Sequence, residues 1–245
     1  MLHNHTITAH KHPDYDLHIP RLLSYPLPAG AISLLLAGLI YRLLSPQPTL
    51  ATIAAGLSIL AGAAYIGLFA FLKQYTNLDR RLQAREQFLD QIPWQGDEKV
   101  LDVGCGNGIL IMGAAKRLTT GQGIGIEIWT EGAGDSRPEA FQENAKLEGV
   151  ADRVRLENED ARQLPYGPDS FDVIISGLTV HHLGFEADKA MGEMIRVLKP
   201  GGWIGIYDEP STILYSAKLM RRQGLQIEKK AVDMVFAIKP EIQAI

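Results

Sequence analysis

The sequence predicts an α/β protein: a doubly wound, mainly parallel sheet of seven strands, preceded by a helical hairpin with the character of two membrane spans. Three observations carry this prediction. The apolar run 100–103 leads directly into Gly104, Gly106 and Gly108, and a helical pattern over 109–118 follows. A strand, a glycine turn and a helix N-terminus form the nucleotide-binding corner of such sheets. Strand and helix patterns then alternate to residue 238, the order that builds a parallel sheet. Finally, two runs almost free of charge, 29–44 and 49–72, precede this region.

Composition bounds the function. The chain has 245 residues, is 46% hydrophobic and carries a net charge of −4. With a slightly acidic balance and no basic stripe interleaved with aromatics, the sequence speaks against a DNA or RNA partner. Cys105 is the only cysteine, so neither a disulfide framework nor a zinc cluster of cysteines can form within one chain.

The N-terminal segment 1–27 reads as a flexible, histidine-rich tail with His3, His5, His10, His12 and His18. Its His-x-His pairs are the only potential metal ligands in view, they lack acidic or cysteine partners at ordered spacing, and no metal is expected. The next segment, 28–72, reads as a transmembrane helical hairpin turning at Pro46-Gln47-Pro48, the alternatives being a hairpin that dips into one leaflet or a soluble helical subdomain. Its second run has the roughly 20 apolar residues that a span requires. The turn is uncharged, whereas Lys73, Arg80, Arg81 and Arg85 follow the second run. The positive-inside rule then places the tail and the α/β domain in the cytoplasm, on a membrane. Segment 73–93 reads as an amphipathic connector helix over 75–91, with Leu78, Leu82, Phe88 and Leu89 on its apolar face. The α/β domain occupies 94–245.

The glycine corner reads Lys99-Val-Leu-Asp-Val-Gly-Cys-Gly-Asn-Gly108. Its spacing is G-x-G-x-G with an acid two residues before the first glycine, not the G-x-G-x-x-G of a dinucleotide site. An acid at that turn suits a ligand with an ammonium group. Here the chain resembles the class I S-adenosylmethionine-dependent methyltransferases, whose first motif reads acid-x-G-x-G-x-G and whose sheet is Rossmann-like. The likeness covers about 89–239 and is closest to the small-molecule enzymes related to ubiquinone/menaquinone C-methylation, the methyltransferase type 11 group. It implies S-adenosyl-L-methionine as cofactor, held by Asp102, Gly104, Cys105 and Gly106.

The later motifs fit this resemblance. Gly121-Gln-Gly-Ile-Gly-Ile-Glu127 is a second strand ending in an acid, and Glu127 offers a ribose diol two acceptor oxygens. A third strand over 153–157 is followed by Glu159-Asp160-Ala161. The resemblance gives Asp160 the adenine amino group and the Ala161 amide a ring nitrogen. Leu164-Pro-Tyr166 resembles the family's Leu-Pro-Phe. The stretch 129–137 departs from the family pattern; Trp129 reads as either a wall for adenine or a cap on the core, and Ser136 with Glu139 as a capping box. Arg196-Val-Leu-Lys-Pro-Gly-Gly-Trp203 matches the family in a structural role.

A buried strand over 171–176 leads into Leu178-Thr-Val-His181-His182-Leu183, where the methyl group must sit. Histidine can take a proton from a nucleophile at neutral pH, so His181 and His182 are the candidate general bases. Each can equally hold the loop by hydrogen bonds. Asp208 or Glu209, closing a strand over 203–207, can orient substrate or start the next helix. Helices over 186–198 and 211–223 and a hairpin over 225–228 and 233–238 complete the domain. The implied activity is methyl transfer from S-adenosylmethionine to a small, lipophilic acceptor. The competing readings are a non-catalytic S-adenosylmethionine sensor or scaffold and a nicotinamide enzyme, the latter requiring a different glycine spacing.

Overall fold

A computed structural model of the chain describes residues 13–15, 27–44, 48–75, 77–128 and 138–241. The tail histidines, the turn at 45–47 and the stretch 129–137 with Trp129 and Ser136 lie outside the described residues. The chain divides into two compact units, Leu17–Gln83 on the one hand and Met1–Asp16 with Ala84–Ile245 on the other.

In the first unit, helices α1 (Leu27–Leu44) and α2 (Pro48–Tyr75) pack on each other. Gly62 permits the approach, since a Cβ there would stand 3.2 Å from Leu35 Cγ. Ile53, Leu57 and Leu60 of α2 are exposed. The hairpin is present, but the expected membrane spans are not: among the described residues no helix is long and apolar enough to cross a membrane. This overturns the membrane localisation and the cytoplasmic topology drawn from it. Absence of charge alone does not make a span.

The second unit is built on one seven-stranded sheet in the order β3-β2-β1-β4-β5-β7-β6. The strands are β1 (Lys99–Val103), β2 (Gln122–Glu127), β3 (Val154–Asn158), β4 (Phe171–Gly177), β5 (Leu198–Tyr207), β6 (Gln226–Lys230) and β7 (Met234–Ile238). All pairings are parallel except those of β7, which runs antiparallel to β5 and β6. The central strands read as continuous apolar runs because both faces are covered. Val100, Leu101 and Val103 are fully buried, as are Ile174 and Ile175. The edge strand β6, Gln-Ile-Glu-Lys-Lys, is charged and mostly exposed, which blunts the sheet edge.

Helices cover both faces. On one lie α3 (Leu78–Leu89), α4 (Ile109–Ala115) and α5 (Pro138–Leu147); on the other, α6 (Ala187–Val197) and α7 (Pro210–Arg222). The period-2 alternation of β5 shows the division. Ile204 and Ile206 join Met191, Met194 and Met220 in the α6–α7 core, whereas Gly205 faces Phe88 of α3. Phe88 in turn lies on Phe236 with ring centroids 4.9 Å apart. Asn77 starts α3 by accepting the amide of Asp79 on its Oδ1 at 2.9 Å. Pro210 starts α7, where its missing N–H costs nothing.

Two boundaries differ from expectation for a physical reason. The α4 helix ends at Ala115 with Lys116 as its cap, since beyond that cap the amides of Arg117 and Leu118 bond back only three residues, to Ala114 and Ala115. Strand β5 begins at Leu198, opposite Phe171, and not at Trp203. Lys199-Pro-Gly-Gly202 reads as a turn in sequence but bulges out of the strand before the register resumes at Val173–Trp203.

Candidate active site

The strand order reverses between β1 and β4, and ligands of doubly wound sheets bind at that switch point, beyond the strand C-termini. The glycine corner lies there. Gly104, Gly106 and Gly108 take φ of 70°, 53° and 88°, in the left-handed region that side chains disfavour. At Gly104 the space is closed as well: a Cβ would fall 2.2 Å from Thr179 Oγ1 and Cγ2. Thr179, just past β4, donates its hydroxyl to the Gly104 carbonyl at 3.1 Å. That lock carries no local signal in the sequence.

Asp102 is 1% exposed. Its Oδ2 accepts the Ile111 amide at 3.1 Å, at the start of α4, and its Oδ1 is buried with no partner. Burial, reinforced by the nearby Glu127 charge, pushes the carboxyl up from 3.8 to about 8. An orphaned acid oxygen beneath a glycine turn fits a ligand that brings a positive charge. Glu127 reaches back across the corner, its Oε2 accepting the Gly106 amide at 3.0 Å, and Oε1 accepting the Ile128 amide at 3.2 Å. Cys105 turns its side chain inward, where a Cβ on Gly125 would meet its sulfur at 2.7 Å. Burial holds the thiol well above its ordinary range, so only the backbone of Cys105 is available to a ligand.

Asp160 lies two residues past β3, which pairs with β2 up to Glu127–Asn158. It grips Arg162 bidentately, with Nε–Oδ1 2.9 Å and Nη2–Oδ2 2.7 Å, and this guanidinium holds its carboxyl below the usual range. Its Oδ1 also accepts the Arg162 amide at 2.8 Å. Ala161 beside it is buried. The following loop is fixed by Arg196, which donates to the carbonyls of Tyr166 at 2.8 Å and Leu164 at 3.1 Å. The structural role expected for the Arg196 segment is visible in those bonds.

The end of β4 is strained. Leu178 takes φ 54°, costly for a branched side chain, and its amide bonds the Tyr207 carbonyl at 2.7 Å. The chain then enters a 3₁₀ turn, Val180–Glu186, broken at Gly184 with φ 51°. This turn presents His181. Its Nδ1 stands 2.7 Å from Asp208 Oδ1. Because a carboxylate only accepts, Nδ1 carries a proton, and in the neutral ring Nε2 then holds the lone pair. Asp208 is fixed in turn by the amides of Glu209, at 2.7 Å, and His181, at 3.3 Å. His182 is exposed and stacks on His181 with centroids 3.8 Å apart. The two candidate histidines therefore stand in different settings.

His181 lines a cavity of 460 Å³ with Val180, Phe185, Ser211, Thr212 and Tyr215 among its walls. The Phe185 side chain is fully exposed at this opening. Thr179, which packs on Gly104, is followed in the chain by Val180, a wall of the cavity.

Residues 101–206 match the family model described as a methyltransferase domain. The chain is 38% identical over 125 residues to the methyltransferase GfsG of Streptomyces halstedii, covering 50% of this chain and 42% of that protein. It is 31% identical over 147 residues to the 27-O-demethylrifamycin SV methyltransferase of Amycolatopsis mediterranei, covering 57% and 50%. The chain thus spans about half the length of these curated relatives. The fold is shared with the crystal structure of a SAM dependent methyltransferase from Aquifex aeolicus, at TM-score 0.56 and 20% identity over 69% of this chain and 97% of that one. The stretch 101–206 is thus similar in sequence to a methyltransferase domain, and the sheet that carries it has the fold of the Aquifex aeolicus protein.

Proposed function

We propose that this chain transfers a methyl group from S-adenosylmethionine to a hydroxyl of a small, lipophilic acceptor, with His181 as general base. The observation that carries the reading is the His181–Asp208 pair, with His181 on the wall of a cavity.

The residues at the corner divide the work of holding the cofactor. Asp102 answers the ligand's positive charge with its orphaned Oδ1. Gly104, Cys105 and Gly106 offer backbone at close range, and Glu127 offers carboxylate oxygens to the ribose hydroxyls. Asp160 and the Ala161 amide take the adenine edge. The cofactor supplies a methyl on a sulfonium, an electrophile whose leaving group is a neutral thioether. The chain's own residues then have two tasks, to place the acceptor oxygen in line with that methyl and to remove its proton. Asp208 keeps His181 in the tautomer whose Nε2 can accept the hydroxyl proton as the oxygen–carbon bond forms. Val180, Phe185 and Tyr215 favour an apolar acceptor body, while Ser211 and Thr212 offer hydroxyls that can orient a polar group. The name of the Amycolatopsis relative, which puts its methyl on an oxygen, supports the choice of acceptor atom.

The test is transfer of labelled methyl from S-adenosylmethionine to a panel of hydroxylated apolar acceptors. The wild type forms methyl ethers. His181→Gln lowers turnover by about 10²–10⁴-fold, the range for lost general-base catalysis, with affinity for S-adenosylhomocysteine within about twofold of wild type. Binding of S-adenosylhomocysteine without transfer to any acceptor would make the chain a cofactor-binding sensor instead.

A further inference from the structure

A short piece of the N-terminal tail is fastened to the back of the glycine corner. Pro13–Tyr15 runs against α5, and its contacts form a closed set. The Asp14 amide donates to Asn144 Oδ1 at 2.7 Å, and Asn144 Nδ2 donates back to the Asp14 carbonyl at 2.8 Å. The same Nδ2 donates to the carbonyl of Asn107 at 3.0 Å, and Asn107 Nδ2 donates to the Asp14 carbonyl at 3.2 Å. Asn107 stands between Gly106 and Gly108 in the glycine loop. The orientation of the Asn144 amide follows from its partners, for the reverse orientation would set its oxygen against two carbonyl oxygens. Asn144 is 1% exposed, so these bonds are shielded from water.

Tyr15 seats the segment. Its ring is 4% exposed, and its hydroxyl donates to Glu148 Oε1 at 2.5 Å. Glu148 also takes Arg85 of α3 at 3.0 Å and Lys116 just past α4. Burial and the Glu148 charge hold the Tyr15 phenol well above its ordinary range, so it stays a donor at every working pH. One end of the segment is thus anchored in a buried ionic cluster and the other holds the loop.

We propose that Pro13–Tyr15 is a clasp that sets the glycine loop for the adenosyl ligand, with Asn144 as the positioning residue that joins tail to loop. The inference rests on the reading of the corner as the cofactor site. It gives the tail a part in cofactor binding although it precedes the corner by about ninety positions.

The test uses the full chain carrying Asn144→Leu, Tyr15→Ala or Tyr15→Phe. The readouts are calorimetric affinity for S-adenosylhomocysteine, hydrogen exchange of the amides at 104–108, and the melting temperature. Tyr15→Ala and Asn144→Leu are expected to weaken S-adenosylhomocysteine binding about tenfold and to speed exchange at 104–108, while Tyr15→Phe, which keeps the ring seated, restores most of both. A lower melting temperature with unchanged affinity and unchanged loop exchange would reduce the segment to a stabilising strap and overturn the proposal. Should Asn144→Leu fail to fold, the two Tyr15 variants decide alone. Should wild type not bind S-adenosylhomocysteine, the functional reading fails, and loop exchange still reports whether the clasp exists.

Discussion

His181 Nδ1 and Asp208 Oδ1 meet at 2.7 Å, although the residues are 27 positions apart and belong to different strand ends. The pairing exists because β4 and β5 are neighbours, with Gly177 opposite Tyr207. The Asp208 side chain is wholly buried while His181 reaches the cavity, so in the proposed mechanism the acid orients the imidazole that takes the proton. Asp208→Asn should lower turnover by about 10²-fold or more, since an amide nitrogen can hold the opposite tautomer. His182→Ala, on the exposed ring, should change turnover by less than about threefold. Steady-state rates of the two variants, at unchanged S-adenosylhomocysteine affinity, check both statements.

If Asp102 faces the cofactor as proposed, binding should depend on pH in a defined direction. Its carboxyl stands at about 8 in the ligand-free fold against 3.8 in an unfolded chain. Between those values the native state binds the extra proton, so this group's contribution to stability falls as pH rises from about 4 to about 8 and then levels off. Asp102→Asn should flatten that part of the stability profile in denaturant titrations at several pH values. A ligand cation that draws Asp102 into its charged form should release a proton on binding near pH 7. Calorimetry of S-adenosylmethionine binding in buffers of different ionisation enthalpy measures that proton, and Asp102→Asn should abolish it.

Gly104 meets two demands at once, φ of 70° and a Cβ position 2.2 Å from Thr179. Gly104→Ala should cost about 2–4 kcal/mol, the backbone strain and the overpacking each taking a share. Adding Thr179→Ser should recover little, because the hydroxyl stays in place; adding Thr179→Gly should recover the steric share and leave the strain. Chemical denaturation of the single and double variants separates the two.

What could be read in the sequence was local. The run into Gly104–Gly106–Gly108 announces the corner through strand period and glycine spacing within ten residues. Glu127 and Asp160 follow from standing at strand ends, and Asp102 from its place two residues before the turn. What was hidden depends on contacts across the sheet. Neither the partner of His181 nor the lock of Thr179 on Gly104 has any sequence spacing to announce it. The same holds for Asn144, which reads in sequence as one more polar residue of an amphipathic helix and yet joins two distant segments. Asp160 was legible in position, but its pairing with Arg162 was not. The hairpin misled for the opposite reason. Its lack of charge is a strong local signal, but absence of charge alone does not make a span, and among the described residues no helix is long and apolar enough to cross a membrane.

The most direct test is calorimetric titration of the purified full-length chain with S-adenosylhomocysteine and, separately, with NAD, repeated for Asp102→Asn. The account predicts saturable binding of S-adenosylhomocysteine, at least tenfold weaker in the variant, and no binding of NAD. Absence of adenosyl binding, or preference for NAD, would contradict the assignment of the glycine corner on which the rest depends.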